Sequence, residues 1–220
     1  MTIKAILFDI DGTLVDSNDQ HVLAWEEAFR SIGRSFDRQV IHDQIGKGTD
    51  MLVPTLLPEL DAAAQTQLGE VHGTVFKQRY LDEVRPFPGA HDLLAAVHAA
   101  GQQVVLASSA SQAELEHYVA LLGAEAMVGA TTSSDDVERT KPAPDIFATA
   151  LKKTGLAPDQ ALVVGDTPYD IEAAGKCGVA AVAVRSGKFD DATLRRAGAI
   201  AVYDDAAALL ADYAQSPLAG

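Results

Sequence analysis

The sequence predicts an α/β fold in which a Rossmann-like parallel sheet carries helices on both faces and an all-helical segment is inserted after the first strand. Residues 5–8 form a short, continuous apolar run, as expected for a central strand that is covered on both faces. From residue 87 onward, apolar runs alternate with helical patterns, whereas residues 16–85 show helical spacing without strand-like alternation. We therefore assign residues 1–15 and 86–220 to the core and residues 16–85 to the insert.

Composition limits the classes of function that the chain can have. Hydrophobic residues make up 48% and charged residues 22% of the 220 residues, which are ordinary values for a globular protein with little disorder. The formal net charge of −14 argues against nucleic acid or an anionic membrane as a partner. No apolar stretch approaches the roughly 20 residues of a membrane helix.

Cys177 is the only cysteine, which excludes an internal disulfide and a cysteine-based zinc cluster. The N-terminus also lacks the basic segment and the long apolar run of a secretory signal. We therefore expect a cytoplasmic protein, and we expect a monomer, with a homodimer as the alternative.

The first strand ends in two carboxylates separated by one residue, Asp9 and Asp11. Ligands of open α/β sheets bind at the carboxyl ends of the strands, so Asp9 stands where a reaction centre is expected. Asp11 is followed by Gly12, and Asp-Gly is also an ordinary turn signal. Two carboxylates at this spacing can hold separate roles, one as a nucleophile and the other as an acid and base.

The insert begins with a predicted amphipathic helix that ends near Gly33. Its apolar residues recur at helical spacing and are Val22, Trp25, Phe29 and Ile32. Further helical patterns cover residues 51–57 and 68–80. We expect Trp25 to pack in the interior of the insert rather than to contact a ligand.

The core continues after the insert with alternating strands and helices. The predicted strands are residues 104–107, 126–130, 161–164, 180–184 and 199–203, and the predicted helices are residues 93–100, 112–122 and 145–153. Repeated strand-helix-strand units imply a parallel sheet with right-handed crossovers. No GxGxxG motif follows a strand, so the sequence does not support a dinucleotide site. We expect residues 215–220 to fray.

Ser108 and Ser109 directly follow the predicted strand at residues 104–107. Ser111 and Glu114 form a capping box, so the start of a helix accounts for Ser111 but not for Ser108. The N–H of Ser109 is a suitable donor to an anion at this helix N-terminus.

Lys141 precedes two prolines, Pro142 and Pro144, which suit a loop that enters the first turn of a helix. Lys141 is therefore held ahead of a helix rather than along it. An isolated lysine is usually a solvated surface charge, so a functional role for Lys141 depends on the other motifs.

Asp166 ends another predicted strand, and Asp170 follows four residues later in a helix whose first position suits Pro168. A helix N-terminus would by itself accommodate Asp170. Together with Asp9 and Asp11, however, these acids bring four carboxylates to neighbouring strand ends, where they would repel one another without a cation. Because oxygen-only ligands suit a hard ion, the sequence predicts a Mg²⁺ site.

The four motifs together resemble those of the haloacid dehalogenase-like phosphohydrolases, in the same order along the chain. The matching segments are DIDGTLVDS from Asp9, Ser108, Lys141-Pro142 and GDTPYD around Asp166. The resemblance implies a Mg²⁺-dependent phosphatase that hydrolyses a small phosphate monoester through an aspartyl-phosphate intermediate. Asp9 is then the nucleophile, Asp11 the general acid and base, and Lys141 the cation that offsets charge on the nucleophile and the phosphate.

The resemblance also implies binding residues in the core and in the insert. The phosphoryl-binding residues would be Ser108 and Ser109, and the metal ligands would be Asp9, Asp11 through its main-chain carbonyl, Asp166 and Asp170. The insert resembles the helical cap domain of the phosphoglycolate phosphatase and β-phosphoglucomutase branch, with His21 and Trp25 in the first helix. We expect His21 to face the site, and Lys47 and Gly48 to meet the non-reacting end of the substrate.

Three alternatives remain open. A 2-haloacid dehalogenase would share the fold without needing the acidic cluster, and a non-catalytic binding module would lack a core residue, whereas none is missing. A β-phosphoglucomutase-like phosphomutase would share every core residue and differ in the cap. Mutases of that type place an arginine shortly after the cap-loop glycine, where this chain has Thr49, Asp50 and Met51. We therefore predict a phosphatase for a small phosphorylated metabolite.

Overall fold

The structure is a computed structural model that describes residues 2–220. Its strands are β1 (Ala5–Phe8), β2 (Val15–Asp16), β3 (Arg85–Pro86), β4 (Gln103–Ala107), β5 (Val128–Thr132), β6 (Ala161–Gly165), β7 (Ala180–Val184) and β8 (Ala201–Tyr203). Six of them form a parallel sheet in the order β5-β4-β1-β6-β7-β8. The strands β4 and β5 follow on one side of β1, and β6, β7 and β8 follow on the other, so the direction of strand order reverses at β1. Ligands of open α/β sheets bind at such a reversal.

Helices cover both faces of the sheet, as predicted. They are α1 (Asn18–Ser31), α2 (Arg38–His42), α3 (Thr49–Leu56), α4 (Ala62–Val75), α5 (Ala90–Ala99), α6 (Gln112–Leu121), α7 (Asp145–Thr154), α8 (Pro168–Lys176), α9 (Asp191–Ala197) and α10 (Ala206–Ala211). Alternate residues of β1 point to opposite faces. Ile6 and Phe8 pack with α5, α6 and α10, whereas Ala5 and Leu7 pack with α7, α8 and α9.

The helices α1 to α4 of the insert enclose an apolar cluster of their own. It contains Val22, Trp25, Ala28, Phe29, Ile41, Ile45, Leu52, Val53, Leu57 and Leu68. Trp25 is buried there, as predicted. A separate cluster of this kind supports the division into core and insert, which stays a prediction.

The insert is not helical at its two ends. Val15 and Asp16 pair antiparallel with Pro86 and Arg85, so a two-stranded ribbon joins the insert to the core. A strand of two residues is too short to produce a recognisable alternation, which is why the sequence did not predict it.

Two other segments differ from the predictions. The fifth strand lies at Val128–Thr132 rather than at residues 126–130, because a turn bonded from Met127 N–H to the Ala124 carbonyl occupies the preceding residues. The expected fraying of residues 215–220 is wrong. Leu218 is fully buried, and the Gln102 side-chain amide donates to its carbonyl at 2.7 Å.

No helix among residues 2–220 combines the length and the apolar character that a membrane crossing requires.

Candidate active site

The predicted motif residues meet at one edge of the sheet. Asp9 follows β1, Ser108 follows β4 and Asp166 follows β6, and these three strands are neighbours with β1 in the middle. Their carboxyl ends therefore lie side by side. All three side chains are buried, with exposed fractions of 3% or less.

Lys141 lies among the acids rather than on the surface. Its side chain is fully buried, and its Nζ lies 2.5 Å from Asp9 Oδ1 and 2.8 Å from Asp170 Oδ1. Burial alone would lower the pKa of Lys141, but the charges of Asp170 and Asp9 outweigh it and raise the pKa above its usual value. Lys141 is therefore a permanent cation between two carboxylates.

Asp9, Asp166 and Asp170 form a buried group whose carboxylate oxygens come within 4.8 Å of one another. Burial raises the pKa of Asp9 to about 7, against the opposing charge of Lys141. Burial and the charge of Asp9 likewise raise the pKa of Asp166 well above its usual value. Within this cluster, one ammonium group faces three carboxylates.

Asp166 is held by residues that sequence reasoning did not single out. Thr13 Oγ1 donates to Asp166 Oδ1 at 2.9 Å, and Asn18 Nδ2 donates to Oδ2 at 3.2 Å. A Cβ atom at Gly187 would lie only 1.8 Å from Asp166 Oδ2, so glycine alone fits beside this carboxylate. Thr13 and Asn18 are adjacent to the first motif, whereas nothing in the sequence marks Gly187.

The donor set fits a Mg²⁺ ion. The three carboxylates offer only oxygen ligands, which a hard divalent cation prefers. All three are buried, and burial together with the neighbouring acids raises the pKa values of Asp9 and Asp166, an environment that a bound cation would stabilise. The Asp11 carboxylate does not belong to this group of three, so its contribution through a main-chain carbonyl stays a prediction.

The Asp11 carboxylate points instead toward the insert. Its Oδ1 accepts from Ser17 Oγ at 2.6 Å and lies 3.2 Å from His21 Nε2, and its Oδ2 lies 3.4 Å from Ser108 Oγ. Burial would raise the pKa of Asp11, but the hydrogen bond and charge of His21 and the hydrogen bond of Ser17 lower it below its usual value. His21 and Ser108 therefore both lie beside Asp11, and their roles in binding stay a prediction.

Rings from α1, from α4 and from the residue that follows α4 fix the position of His21. Phe76 stacks on His21 with ring centroids 3.9 Å apart, and His72 Nε2 lies 3.4 Å from His21 Nδ1. His72 in turn stacks on Trp25, with centroids 4.1 Å apart. Burial would lower the pKa of His21, but the hydrogen bond and the charge of Asp11 raise it above its usual value. Burial and the charge of His21 hold the pKa of His72 well below its usual value.

The loop between α2 and α3 rests directly on the core. Ser109 Oγ donates to the Gly46 carbonyl at 3.2 Å, and Gly48 N–H donates to Thr140 Oγ1 at 2.9 Å. A Cβ atom at Gly46 or at Gly48 would lie within 2.7 Å of a threonine side chain of the core. The two glycines therefore permit an approach that any other residue would prevent.

Lys47 of this loop and Asp50 in the first turn of α3 are engaged by the protein itself. Lys47 Nζ donates to Gln44 Oε1 at 2.6 Å and lies 4.6 Å from the centroid of the Tyr169 ring. The Asp50 carboxylate accepts from Thr140 N–H at 2.9 Å and from Thr140 Oγ1 at 2.5 Å. Asp50 thus binds the residue that precedes Lys141, a contact that the sequence did not predict because 90 residues separate the partners.

A cavity of about 830 Å³ opens from Asp9 and Asp11 toward the solvent. The insert contributes one wall through α4 and the residues from 45 to 50, and the segments that follow β4 and β5 contribute the other. His21, Lys47, Gly48, Ser108 and Ser109 all line it, so these predicted binding residues share one cavity with the two acids.

Buried acids and a buried lysine at the carboxyl edge of a parallel α/β sheet are typical of an enzyme active site. Comparisons with known proteins identify the family. Residues 6–184 match the model of the haloacid dehalogenase-like hydrolases, and the chain belongs to this family. Several of its relatives are named phosphatases.

Two relatives and one solved structure illustrate the likeness. A fructose-1-phosphate phosphatase of Escherichia coli (strain K12) is 30% identical over 185 residues, which cover 82% of this chain and 95% of that protein. A phosphoglycolate phosphatase of Aquifex aeolicus (strain VF5) is 27% identical over 181 residues, which cover 80% of this chain and 82% of that protein. The crystal structure of a hydrolase from Pseudomonas syringae has 31% identity and a TM-score of 0.90, over 97% of this chain and 98% of that chain.

Proposed function

We propose that this enzyme is a Mg²⁺-dependent phosphatase that hydrolyses a small phosphate monoester through an aspartyl-phosphate on Asp9. The observation that carries the proposal is the position of Lys141, whose Nζ lies within 2.8 Å of both Asp9 and Asp170 in a buried acidic cluster. A buried cation beside a carboxylate at the head of a cavity suits an incoming phosphate dianion. The names of the relatives support the same activity.

Mg²⁺ would be held by Asp9, Asp166 and Asp170 and, as the resemblance implies, by the main-chain carbonyl of Asp11. When bound, the ion would neutralise charge on the phosphoryl oxygens, as Lys141 does from the protein side. Burial raises the pKa of Asp9 to about 7, and the charge of Lys141 opposes this rise and so favours the carboxylate form that acts as the nucleophile.

In the first step, an oxygen of Asp9 forms a bond to phosphorus while the bond to the leaving oxygen breaks. Asp11 gives a proton to that leaving oxygen. The phosphate dianion beside Asp11 raises the pKa of this carboxyl by charge repulsion, which favours its protonated form at this stage. Ser17 and His21 hold the Asp11 carboxylate through hydrogen bonds of 2.6 and 3.2 Å.

In the second step, Asp11 takes a proton from a water molecule, whose oxygen attacks phosphorus as the bond to Asp9 breaks. Inorganic phosphate leaves, and both carboxylates return to their starting states. The contacts of Gly46, Gly48 and Asp50 with the core hold one wall of the cavity against the site, which would limit the entry of water from that side before the first step.

A phosphomutase is the second candidate, and the loop between α2 and α3 argues against it. A mutase must hold a second phosphate group firmly. Asp50 stands in the first turn of α3, which follows this loop, and no arginine lines the cavity in residues 2–220. Lys47 alone, already bonded to Gln44, is a poor partner for a phosphate dianion.

The test uses purified protein, Mg²⁺ and a panel of phosphate monoesters that includes p-nitrophenyl phosphate. We expect release of inorganic phosphate, and we expect none from the Asp9→Asn variant, which keeps the shape of the side chain and removes the nucleophile. A phosphorus NMR time course with a sugar phosphate and catalytic bisphosphate separates the two candidates. Isomer formation faster than phosphate release would reverse the assignment, and activity of Asp9→Asn above a few per cent with unchanged circular dichroism would exclude Asp9 as the nucleophile.

A further inference from the structure

We propose that the substrate is the phosphate monoester of an uncharged polyhydroxy compound, such as a sugar or polyol, and that the cavity rejects monoesters carrying a second anionic group. This inference rests on the proposed function and narrows it. The rejected monoesters, which carry a second anionic group, include phosphoglycolate and the sugar bisphosphates. The size of the cavity, the charges on its walls and the hydrogen-bonding groups that it offers all favour such a substrate.

The cavity is larger than a two-carbon substrate needs. Its volume of about 830 Å³ lies near the top of the range of roughly 300–1,000 Å³ that is usual for small-molecule sites. Gly73 of α4 lines it, and a Cβ atom built on this glycine meets nothing within 4 Å. The wall at Gly73 therefore leaves open space in the cavity, where a larger leaving group fits.

Negative charge dominates the walls outside the phosphoryl centre. The acidic residues there are Asp50, Glu70, Glu114, Asp135 and Glu138, and the lysines are Lys47 and Lys77. Arginine, the residue that binds carboxylates and phosphates through two parallel hydrogen bonds, is missing from the lining in the part of the chain that the structure describes. A second anion on the substrate would thus meet more negative than positive charge.

Neither lysine offers a firm anion site. The Lys47 ammonium is shared between Gln44 and the Tyr169 ring, and partial burial lowers its pKa. Lys77 is exposed at the end of the wall formed by α4, where solvent screens its charge. Glu70 and Glu138 have no ion pair within residues 2–220. They are exposed like Lys77, so solvent screens their charges in the same way, and the acids of the walls stay in excess over the lysines.

The same walls suit hydroxyl groups. Carboxylates such as Glu70 accept hydrogen bonds from sugar hydroxyls, and the amide of Gln65 and the hydroxyls of Thr66 and Ser134 can both donate and accept. An uncharged ligand suffers no repulsion from the acids. These groups therefore favour a polyol portion over an anionic one of the same size.

Two matched pairs of substrates test the proposal in the wild-type enzyme with Mg²⁺. The first pair is 2-hydroxyethyl phosphate and phosphoglycolate, which differ by a carboxylate, and the second is fructose 1-phosphate and fructose 1,6-bisphosphate. We expect kcat/KM to be about tenfold higher for the uncharged member of each pair at low salt, and we expect the ratio to shrink as salt screens the walls. Equal or higher kcat/KM for the anionic members would overturn the proposal.

Variants identify the source of the discrimination. Glu70→Gln and Glu138→Gln are each expected to raise the phosphoglycolate to 2-hydroxyethyl phosphate ratio about twofold, because each removes one screened charge. Glu125→Gln is the matched control, since Glu125 is exposed and does not line the cavity. Unchanged ratios in both cavity variants would refute the proposal even if p-nitrophenyl phosphate is cleaved normally. No cleavage of any substrate, p-nitrophenyl phosphate included, would refute the proposed function itself.

Discussion

At the scale of single residues, Lys141 has the most unusual position in the chain. Lysine is almost never fully buried unless it is paired, and here it is buried between Asp9 and Asp170. Removing one member of a buried ion pair leaves the other charges without compensation. The position of Lys141 is therefore explained by its charge and not by packing.

Lys141→Ala should lower kcat about 10²- to 10³-fold, the loss that follows when one donor to a developing anionic charge is removed. The measurement is steady-state kinetics at saturating Mg²⁺ and substrate, with circular dichroism to confirm that the variant is folded. Lys176→Ala is the control, because Lys176 is exposed and donates only to the Pro142 carbonyl. A change confined to KM would show that Lys141 binds substrate without acting on the transition state.

Asn18 is a second residue whose environment suggests a function. It is buried, its Nδ2 donates to Asp166, and its Oδ1 has no hydrogen-bond partner within residues 2–220. Residues that orient a metal ligand typically change metal affinity 10- to 100-fold when they are removed. Asn18→Ala should therefore weaken Mg²⁺ binding by about this factor, measured by titration calorimetry without substrate.

The control for this experiment is Asp19→Asn, one residue further along α1. Asp19 is in contact with Lys188 at the surface and does not touch Asp166. Its substitution should leave Mg²⁺ affinity unchanged. Equal affinities of the Asn18→Ala variant and the wild type would show that Asn18 only packs between α1 and the core.

At the scale of elements, the loop between α2 and α3 fixes the insert to the core through two glycines. A Cβ atom on Gly48 would lie 2.5 Å from both Oγ1 and Cγ2 of Thr140, which lies next to Lys141. Gly48→Ala should therefore separate the loop from the core and lower kcat/KM by at least about tenfold, since a misplacement of about 1 Å near a reacting centre can produce a loss of 10²-fold.

Gly175→Ala is the matched control, because a Cβ atom on this glycine of α8 meets nothing within 4 Å. That variant should keep full activity and be slightly more stable, as expected for alanine in a helix. If Gly48→Ala retains wild-type kcat/KM, the approach of the loop to Thr140 is not required for turnover.

The elements also show how far the sequence predicts the structure. The apolar run at residues 5–8 and the helical spacing around Trp25 are local patterns, and both predicted their elements correctly. The partners of Asp50 and Asp166 were not predictable, because each contact joins residues 90 or more positions apart and depends on how the insert sits on the core. The buried tail shows the same limit, since Leu218 is held by Gln102 and not by any feature of its own segment.

At the scale of the whole molecule, an acidic chain places its densest buried charge at the point where an anionic substrate must bind. The formal net charge is −14, and three carboxylates lie within 4.8 Å of one another at the sheet edge. Lys141 contacts Asp9 and Asp170, so one positive charge faces three carboxylates. A phosphate dianion would be repelled from such a site unless a divalent cation were bound.

Removing the metal should therefore abolish turnover, and adding Mg²⁺ should restore it and stabilise the folded protein. A ligand at 100 times its dissociation constant adds about 2.7 kcal/mol to the free energy of unfolding. For a chain of this size, this corresponds to an increase in Tm of about 5–10 °C. Thermal unfolding after EDTA treatment and dialysis, with and without Mg²⁺ at constant ionic strength, measures the effect independently of activity. Asp166→Asn should show a much smaller increase, and full activity of the metal-free wild type would disprove the metal requirement.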